Sequence, residues 1–267
     1  MNNGSYANMN GLRMYYEIHG TGKPLILIHG GVGATEMFNE VLLPLLSKNR
    51  QVIAVDLQAH GRTADIDRPL SYEMMGDDIA ALIKHLKLEK ADVMGYSLGG
   101  GVALRMAIQH PELVRKLVLV STAYKRNGWY PEVLAAMAQS GPESAERMKQ
   151  TPMYEVYARI APRVEDWPVL YTKLGELLRK DYDWSKQVEA LKIPTMLAFA
   201  DADSIRTSHA VEFFELLGGG KVDAGWDGSK MPASRLAILP GTTHYNIFAS
   251  PVLGSDVAIF LDAPMPK

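Results

Sequence analysis

The stretch Lys90-Ala-Asp-Val-Met-Gly-Tyr-Ser-Leu-Gly-Gly-Gly-Val-Ala-Leu-Arg-Met-Ala-Ile108 leaves the chain few ways to fold. It opens as a short apolar run, which predicts a strand, and resumes after Gly99 with helical spacing. Between the two, Gly95-Tyr96-Ser97-Leu98-Gly99 has to reverse the backbone almost at one residue. Strand and helix nearly touch in such a turn. Only glycine therefore fits two positions to either side of the centre, and Ser97 is held at a strained angle. The helix aims its first N–H groups and its positive dipole end at the Ser97 hydroxyl. With 23 glycines in 267 residues the motif could arise by chance, so its setting must carry the reading. It occurs once, after a predicted strand and before a predicted helix.

The remaining chain repeats the same alternation. Leu12–Ile18 reads as a strand closed by Gly20-Thr-Gly-Lys-Pro24. Pro24–His29, Gln51–Asp56 and Lys116–Ser121 are nearly continuous apolar runs, as expected of buried strands, and Ile193–Ala200 and Arg235–Pro240 read as two further strands. Helical spacing marks Met37–Leu46, Tyr72–Leu88, His209–Leu217 and Val252–Leu261, with Leu57–Thr63 and Gly218–Ser234 as loops. Strand and helix in turn, joined by short loops, predict a parallel sheet wrapped by helices. The rhythm stops at Thr122. From Ala123 to Leu191 no strand-like run appears, and Pro131, Pro142, Pro152, Pro162 and Pro168 punctuate helical segments rich in Tyr and Trp. The expected organisation is a core of residues 1–122 and 192–267 with a helical cap, 123–191, inserted over the sheet edge.

Composition removes several functional classes. At 47% apolar, 22% charged and a net charge of −2, the chain has no basic excess to recruit nucleic acid or anionic lipid. It has no Cys, hence no disulfide, thiol nucleophile or thiolate metal site. No apolar run reaches the ~18 residues a membrane span needs, and the first residues lack a signal-peptide pattern, so a cytoplasmic protein is expected. There is no Gly-x-x-x-x-Gly-Lys-Ser/Thr phosphate loop, no dinucleotide fingerprint, and no His-x-His or His-x-x-x-His ligand pair. No metal and no cofactor are expected.

A serine hydroxyl is a poor nucleophile near neutral pH, so Ser97 needs a base and a group that orients the base. In open parallel sheets, functional residues gather where strands end. Ser97, Asp203 and His244 each follow a predicted strand, in the order serine, acid, histidine. Asp201 lies beside Asp203 as a rival, and more readily serves a turn. Among the other histidines, His85 and His110 are expected at the surface, His209 as a capping or surface residue, His60 in loop packing, and His29 as shaping the loop that follows it. An oxyanion would need two converging backbone N–H donors. Leu98 supplies one. The loop after His29, with Gly30, Gly31 and Gly33, is the expected source of the other.

Taken together, His29-Gly30-Gly31, Gly95-Tyr-Ser-Leu-Gly99, Asp201-Ala-Asp203 and Leu239-Pro-Gly-Thr-Thr-His244 resemble the α/β-hydrolase superfamily. Within it the chain is similar to capped esterases, lactonases and cofactor-free perhydrolases. The likeness runs from about Leu12 to the C-terminus and is weakest in the helical insertion. It implies Ser97 as nucleophile, His244 as general base and then acid, and Asp203 as its orienting partner. It also implies Gly31, with Val32 as second choice, beside Leu98 in the oxyanion hole. The family form Gly-Asp-x-Asp uses the second Asp, although Ala200 stands here in place of the Gly. A dehalogenase or epoxide hydrolase of this fold would carry Asp at position 97. The expected activity is therefore hydrolysis of a small-molecule carboxylic ester or lactone through an acyl-enzyme. An acyl-homoserine lactonase, a cofactor-free perhydrolase, a carbon–carbon bond hydrolase or a non-catalytic ligand-binding member remain alternatives.

Overall fold

Eight strands form one sheet in the computed structural model, which describes residues 4–265. They are β1 (Gly4–Met9), β2 (Leu12–His19), β3 (Lys23–Ile28), β4 (Arg50–Val55), β5 (Ala91–Tyr96), β6 (Val114–Val120), β7 (Thr195–Ala202) and β8 (Arg235–Thr243). Their order is β1-β2-β4-β3-β5-β6-β7-β8, with β1–β2 and β2–β4 antiparallel and every later pairing parallel. The helices are α1 (Leu42–Leu46), α2 (Tyr72–His85), α3 (Leu98–Gln109), α4 (Pro131–Ala138), α5 (Pro142–Met148), α6 (Pro152–Ile160), α7 (Trp167–Arg179), α8 (Ser185–Ala190), α9 (Thr207–Leu216) and α10 (Pro251–Asp262). None of the described helices is long and apolar enough to cross a membrane.

The apolar runs work as double-sided strands. Ile26, Ile28, Val93, Leu117 and Leu119 join the core shared with α2 and α3, whereas Leu25, Leu27, Met94, Val118 and Val120 join the core shared with α1 and α10. That alternation is the period-two signature of a strand, with apolar partners waiting on both faces. Topology then fixes where a site can form. β3 connects outward to β4 through α1, but β4 crosses back over β3 to β5. The connections therefore reverse between β3 and β5, leaving a crevice at their carboxyl ends. Into it run the Gly30–Gly33 loop and the turn at Ser97.

Several expectations needed correction. β1 is an additional strand, joined to β2 through Asn10 and Gly11, both at positive φ (49° and 80°), as a two-residue hairpin of the mirror-turn type demands. The expected helix Met37–Leu46 is broken into a short 3-10 turn, Thr35–Phe38, and α1. Pro44 explains the break. It has no N–H to give, so it is tolerated in the first turn of a helix starting at Leu42 but not inside a longer one. α2 stops at His85 rather than Leu88, and β8 continues to Thr243.

Between β6 and β7 the prolines open helices instead of breaking them: Pro131, Pro142 and Pro152 are the first residues of α4, α5 and α6. The aromatics there pack mainly on one another. Trp167 is fully buried against Tyr154, Tyr157 and Tyr171, and its indole N–H donates to the Ala145 carbonyl at 2.8 Å. The two ends of this helical stretch meet. Arg126 N–H donates to Tyr182 O (2.9 Å) and Trp184 N–H to Tyr124 O (3.0 Å), an antiparallel pairing around the Lys125–Asp183 bridge. A second set of backbone bonds ties the stretch to the chain after β7: Tyr130 N–H to Ser204 O (3.1 Å) and Arg206 N–H to Gly128 O (3.0 Å).

Candidate active site

Ser97 sits between β5 and α3 with φ 53° and ψ −116°, a conformation that costs a non-glycine residue of order 1–3 kcal/mol. Three close approaches impose it. Ser97 N–H donates to Val120 O at 2.9 Å. A Cβ on Gly95 would stand 2.1 Å from Gly99 O, and one on Gly99 would stand 2.3 Å from His29 O. The two glycines of the motif are thus steric requirements, the second because α3 leans on the end of β3.

The structure brings Ser97, His244 and Asp203 together. Ser97 Oγ lies 3.0 Å from His244 Nε2, and His244 Nδ1 lies 2.8 Å from Asp203 Oδ1. Burial by itself pushes the Asp203 carboxyl up. The hydrogen bond and charge attraction of His244, with donors from Ser121 and the Ala200 N–H, outweigh it and hold the group below the ordinary carboxylate range. An ionised Asp203 can only accept, so it fixes the imidazole with its proton on Nδ1 and leaves the Nε2 lone pair facing the serine. Asp201, two residues earlier, goes elsewhere because the β7–β8 register shifts between Ala200 and Ala202. Its carboxylate accepts from Gly241 N–H (2.9 Å) and Thr242 N–H (3.2 Å), which fastens the turn leading to His244.

Sequence reasoning did not single out three residues that hold this arrangement. The Tyr96 hydroxyl donates to His244 O at 2.6 Å, and its ring lies against the imidazole with centroids 5.5 Å apart. Burial pushes the Tyr96 hydroxyl up, so it stays a donor. Ser121 bonds Asp203. Asp56, at the end of β4, accepts from Thr35 N–H and Arg62 N–H, both at 2.8 Å, which joins the loop after β3 to the loop after β4. Tyr96 occupies the variable position of the motif, where composition carries no signal. Ser121 and Asp56 are polar residues closing apolar runs, and that was the available clue.

The loop after β3 is held from behind. His29 is wholly buried and bonds Gly30 O through Nδ1 (2.7 Å), while its Nε2 accepts from Leu57 N–H (3.1 Å). Burial and the neighbouring His60 push His29 down to about 3, so it clamps as a neutral ring. Gly31 lies beside the start of α3, its Cβ position 3.8 Å from Leu98 Cβ. Leu98, as the first residue of α3, has no intrahelical acceptor for its N–H, and among the described residues the Gly31 N–H makes no backbone hydrogen bond. Val32 adopts a positive φ of 61° at the next position. His85 is exposed, and His110 is half-buried on Asp77 (2.7 Å). His209 differs from expectation. It is buried, stacked on Tyr124 at 4.3 Å, and its Nε2 accepts from Tyr124 N–H, because it lies in the first turn of α9 on the face shared with Ala210 and Phe213, which points inward.

Two apolar cavities flank the site. One, of about 210 Å³, lies between the loop after β3 (Val32, Gly33, Met37) and α6 (Met153, Val156). The other, of about 350 Å³, is bounded by His244, Trp129, Ser204, Tyr245 and the α4 residues Val133 and Met137. Among the described residues the charged ones lining them are Glu36 in the first and Glu132 in the second, with no Lys or Arg in either.

A family model described as the alpha/beta hydrolase fold matches residues 23–219. A 2-hydroxymuconate semialdehyde hydrolase of Pseudomonas sp. (strain CF600) is 40% identical over 116 residues, which is 42% of this chain and 41% of that relative. The chain thus spans less than half the length of this relative in the matched region. Among solved structures, the enol-lactonase from Burkholderia xenovorans LB400 superposes with a TM-score of 0.73 at 21% identity, covering 97% of this chain and 100% of that one. A meta-cleavage product hydrolase from Pseudomonas fluorescens IP01 gives 0.72 at 21% identity, covering 97% of each.

Proposed function

The chain belongs to the α/β-hydrolase family, and on that basis we propose that it is a serine hydrolase cleaving neutral carboxylic esters or lactones through an acyl-enzyme on Ser97. The observation that carries this reading is the continuous hydrogen-bond line from Ser97 Oγ through His244 to Asp203, set at a strained turn under a helix N-terminus. Ser97 Oγ attacks the ester carbonyl carbon as its proton passes to His244 Nε2. The new C–O bond pushes the carbonyl electron pair onto oxygen, which the N–H groups of Leu98 and Gly31 receive. Such donors contribute about 3–4 kcal/mol each to the transition state. Collapse expels the alcohol, which takes the proton from His244. Water then attacks the acyl carbon with the same histidine as base, releasing the acid and restoring Ser97. Every proton is accounted for by His244, and the sequence of steps requires no cofactor.

The departing alcohol oxygen has to come within hydrogen-bond reach of His244 Nε2. The cavity bounded by His244 and α4 accordingly takes the alcohol portion. The cavity beside the oxyanion loop and α6 takes the acyl portion. Both are apolar, which suits uncharged substrates of modest size, and we read the stretch 123–191 as the cap that completes them.

One observation favours a second reading, carbon–carbon bond hydrolysis: the 40% identical stretch shared with the 2-hydroxymuconate semialdehyde hydrolase. The substrate in that relative's name, a muconate semialdehyde, carries no ester and is a carboxylate. Lining residues without Lys or Arg offer such a charge no partner, which is why the ester reading is preferred. A fluorophosphonate probe and a panel of esters, lactones and dienol carboxylates decide between them. Ser97→Ala should abolish labelling and cost at least ~10³-fold in kcat on the accepted substrates. Full activity in that variant, or no labelling of the wild type, refutes the acyl-enzyme.

A further inference from the structure

The acid of the triad is gripped from two sides, and one grip comes from an element outside the triad. Asp203, its side chain only 2% exposed, receives four donors. Oδ1 takes His244 Nδ1 at 2.8 Å and Ile205 N–H at 3.2 Å. Oδ2 takes Ser121 Oγ at 2.5 Å and Ala200 N–H at 3.0 Å. Four donors fill the acceptor capacity of an ionised carboxylate. Ala200 and Ile205 belong to the chain around Asp203 itself. Ser121 arrives from the end of β6, 82 residues earlier, and supplies the shortest of the four bonds.

Two further observations set Ser121 apart. It is fully buried, and it holds φ 48°, which a non-glycine residue avoids unless its surroundings impose it. The imposition is visible: Ser121 N–H donates to Ala198 O at 2.8 Å, extending the β6–β7 pairing one residue beyond the strand. The backbone is thereby bent at the point that carries the hydroxyl to Asp203, as it is bent at Ser97 to present the other hydroxyl to His244.

We propose that Ser121 is a positioning residue of the catalytic apparatus, holding Oδ2 of Asp203 so that Oδ1 stays directed at His244 and drawing part of the carboxylate charge away from the imidazole. The inference rests on the serine-hydrolase reading. The titratable groups around the carboxylate are His244, the Tyr96 hydroxyl and, across the imidazole, Tyr245. Without the Ser121 hydroxyl, Oδ2 keeps only the Ala200 N–H. Its charge then falls more heavily on His244, and the protonated imidazole is favoured. The acid limb of the kcat/KM profile moves to higher pH, and kcat falls because the carboxylate, left with three donors, is held less firmly toward His244.

Three variants separate hydroxyl from backbone: Ser121→Ala removes the hydroxyl, Ser121→Gly removes the hydroxyl and the strain, and Ser121→Thr keeps a hydroxyl. On a nitrophenyl ester, Ala and Gly should each lose about 5- to 30-fold in kcat with KM within about twofold, and raise the acid limb by about 0.5 pH unit or more. Thr should restore both. An unchanged limb in folded Ser121→Ala, or a shift in Ala that Gly abolishes, overturns the proposal in favour of a purely structural residue. Should Thr not fold, the Ala–Gly comparison decides alone. The low-field proton resonance between His244 and Asp203 gives a readout that needs no turnover. It should move in Ser121→Ala, and an unmoved resonance likewise overturns the proposal. A wild-type chain that takes no fluorophosphonate label would instead defeat the hydrolase reading, whatever that resonance does.

Discussion

Replacing Gly99 by Ala adds one methyl group at the tightest point of the molecule. Its Cβ would stand 2.3 Å from His29 O and 2.5 Å from Ile28 O, both backbone atoms of the central strand and its exit. Real Cβ atoms essentially never come closer than 3.0 Å. α3 must therefore withdraw from β3 by at least ~0.7 Å, since neither oxygen can swing aside. Overpacking of this kind costs about 1–3 kcal/mol, and backbone as the obstacle puts it at the upper end. At about 2–4 °C per kcal/mol for a chain near this size, the midpoint should fall by roughly 6–12 °C. The same withdrawal pulls Ser97 and the Leu98 N–H away from Gly31, the other donor of the proposed oxyanion site. A misplacement approaching 1 Å costs about 10²-fold, so kcat on an ester should drop about 10- to 100-fold. Gly31→Ala is the matched control, for its Cβ would meet Leu98 side-chain atoms at an ordinary 3.8 Å. It should change stability by no more than about 0.5 kcal/mol. Scanning calorimetry and steady-state kinetics on the two variants are sufficient. If Gly99→Ala melts within about 1 °C of the wild type and turns over normally, the argument that packing forces glycine into this turn is wrong.

Three further outcomes are expected. Met137→Trp, which fills the cavity beside His244, should lower kcat/KM for esters of bulky alcohols while leaving deacylation rates alone. Val156→Trp should slow deacylation of long acyl groups, and equal effects of both variants on both steps would remove the assignment of alcohol and acyl sides. Asp56 is raised to about 7, first by burial and against two backbone N–H bonds. A carboxyl raised by folding contributes stability that is complete below the ordinary carboxylate value and is lost as pH rises through about 7. Asp56→Asn should therefore flatten the fall in melting temperature between about pH 4 and 7, and an unaltered slope refutes the assignment.

The parts of the molecule that could be read from sequence are those where one physical constraint dominates. A strand covered on both faces must be apolar throughout, so β3 through β7 announced themselves, and a turn with no room for a side chain needed Gly95 and Gly99. Ser97, Asp203 and His244 each close a strand, so the fold itself delivers them to one rim. Residues serving two masters were harder. β1 is an edge strand with half of its residues exposed, and its only sharp sign was Asn10-Gly11. The helical spacing of Met37–Leu46 was real, but Pro44 decided where the helix could begin. His209 looked like a surface residue because sequence gives no direction to the face of a short helix. Ser121 and Tyr96 act through single hydrogen bonds to residues 82 and 148 positions away, and no local pattern records such partners.

The antiparallel contact between residues 124–126 and 182–184 makes the helices between β6 and β7 a transplantable piece. Their junctions with the sheet lie side by side and are already stitched, so a foreign segment of different length need only span that narrow gap. The seam has a definite position, however. Trp129, which faces His244, and the carbonyl of Gly128 and N–H of Tyr130, which brace the Asp203 loop, lie ahead of α4. A graft cut at 131 and 181 would exchange α4 to α7 while keeping those braces. One cut at 123 and 191 would discard them and leave the loop after β7 without its two backbone bonds to Gly128 and Tyr130.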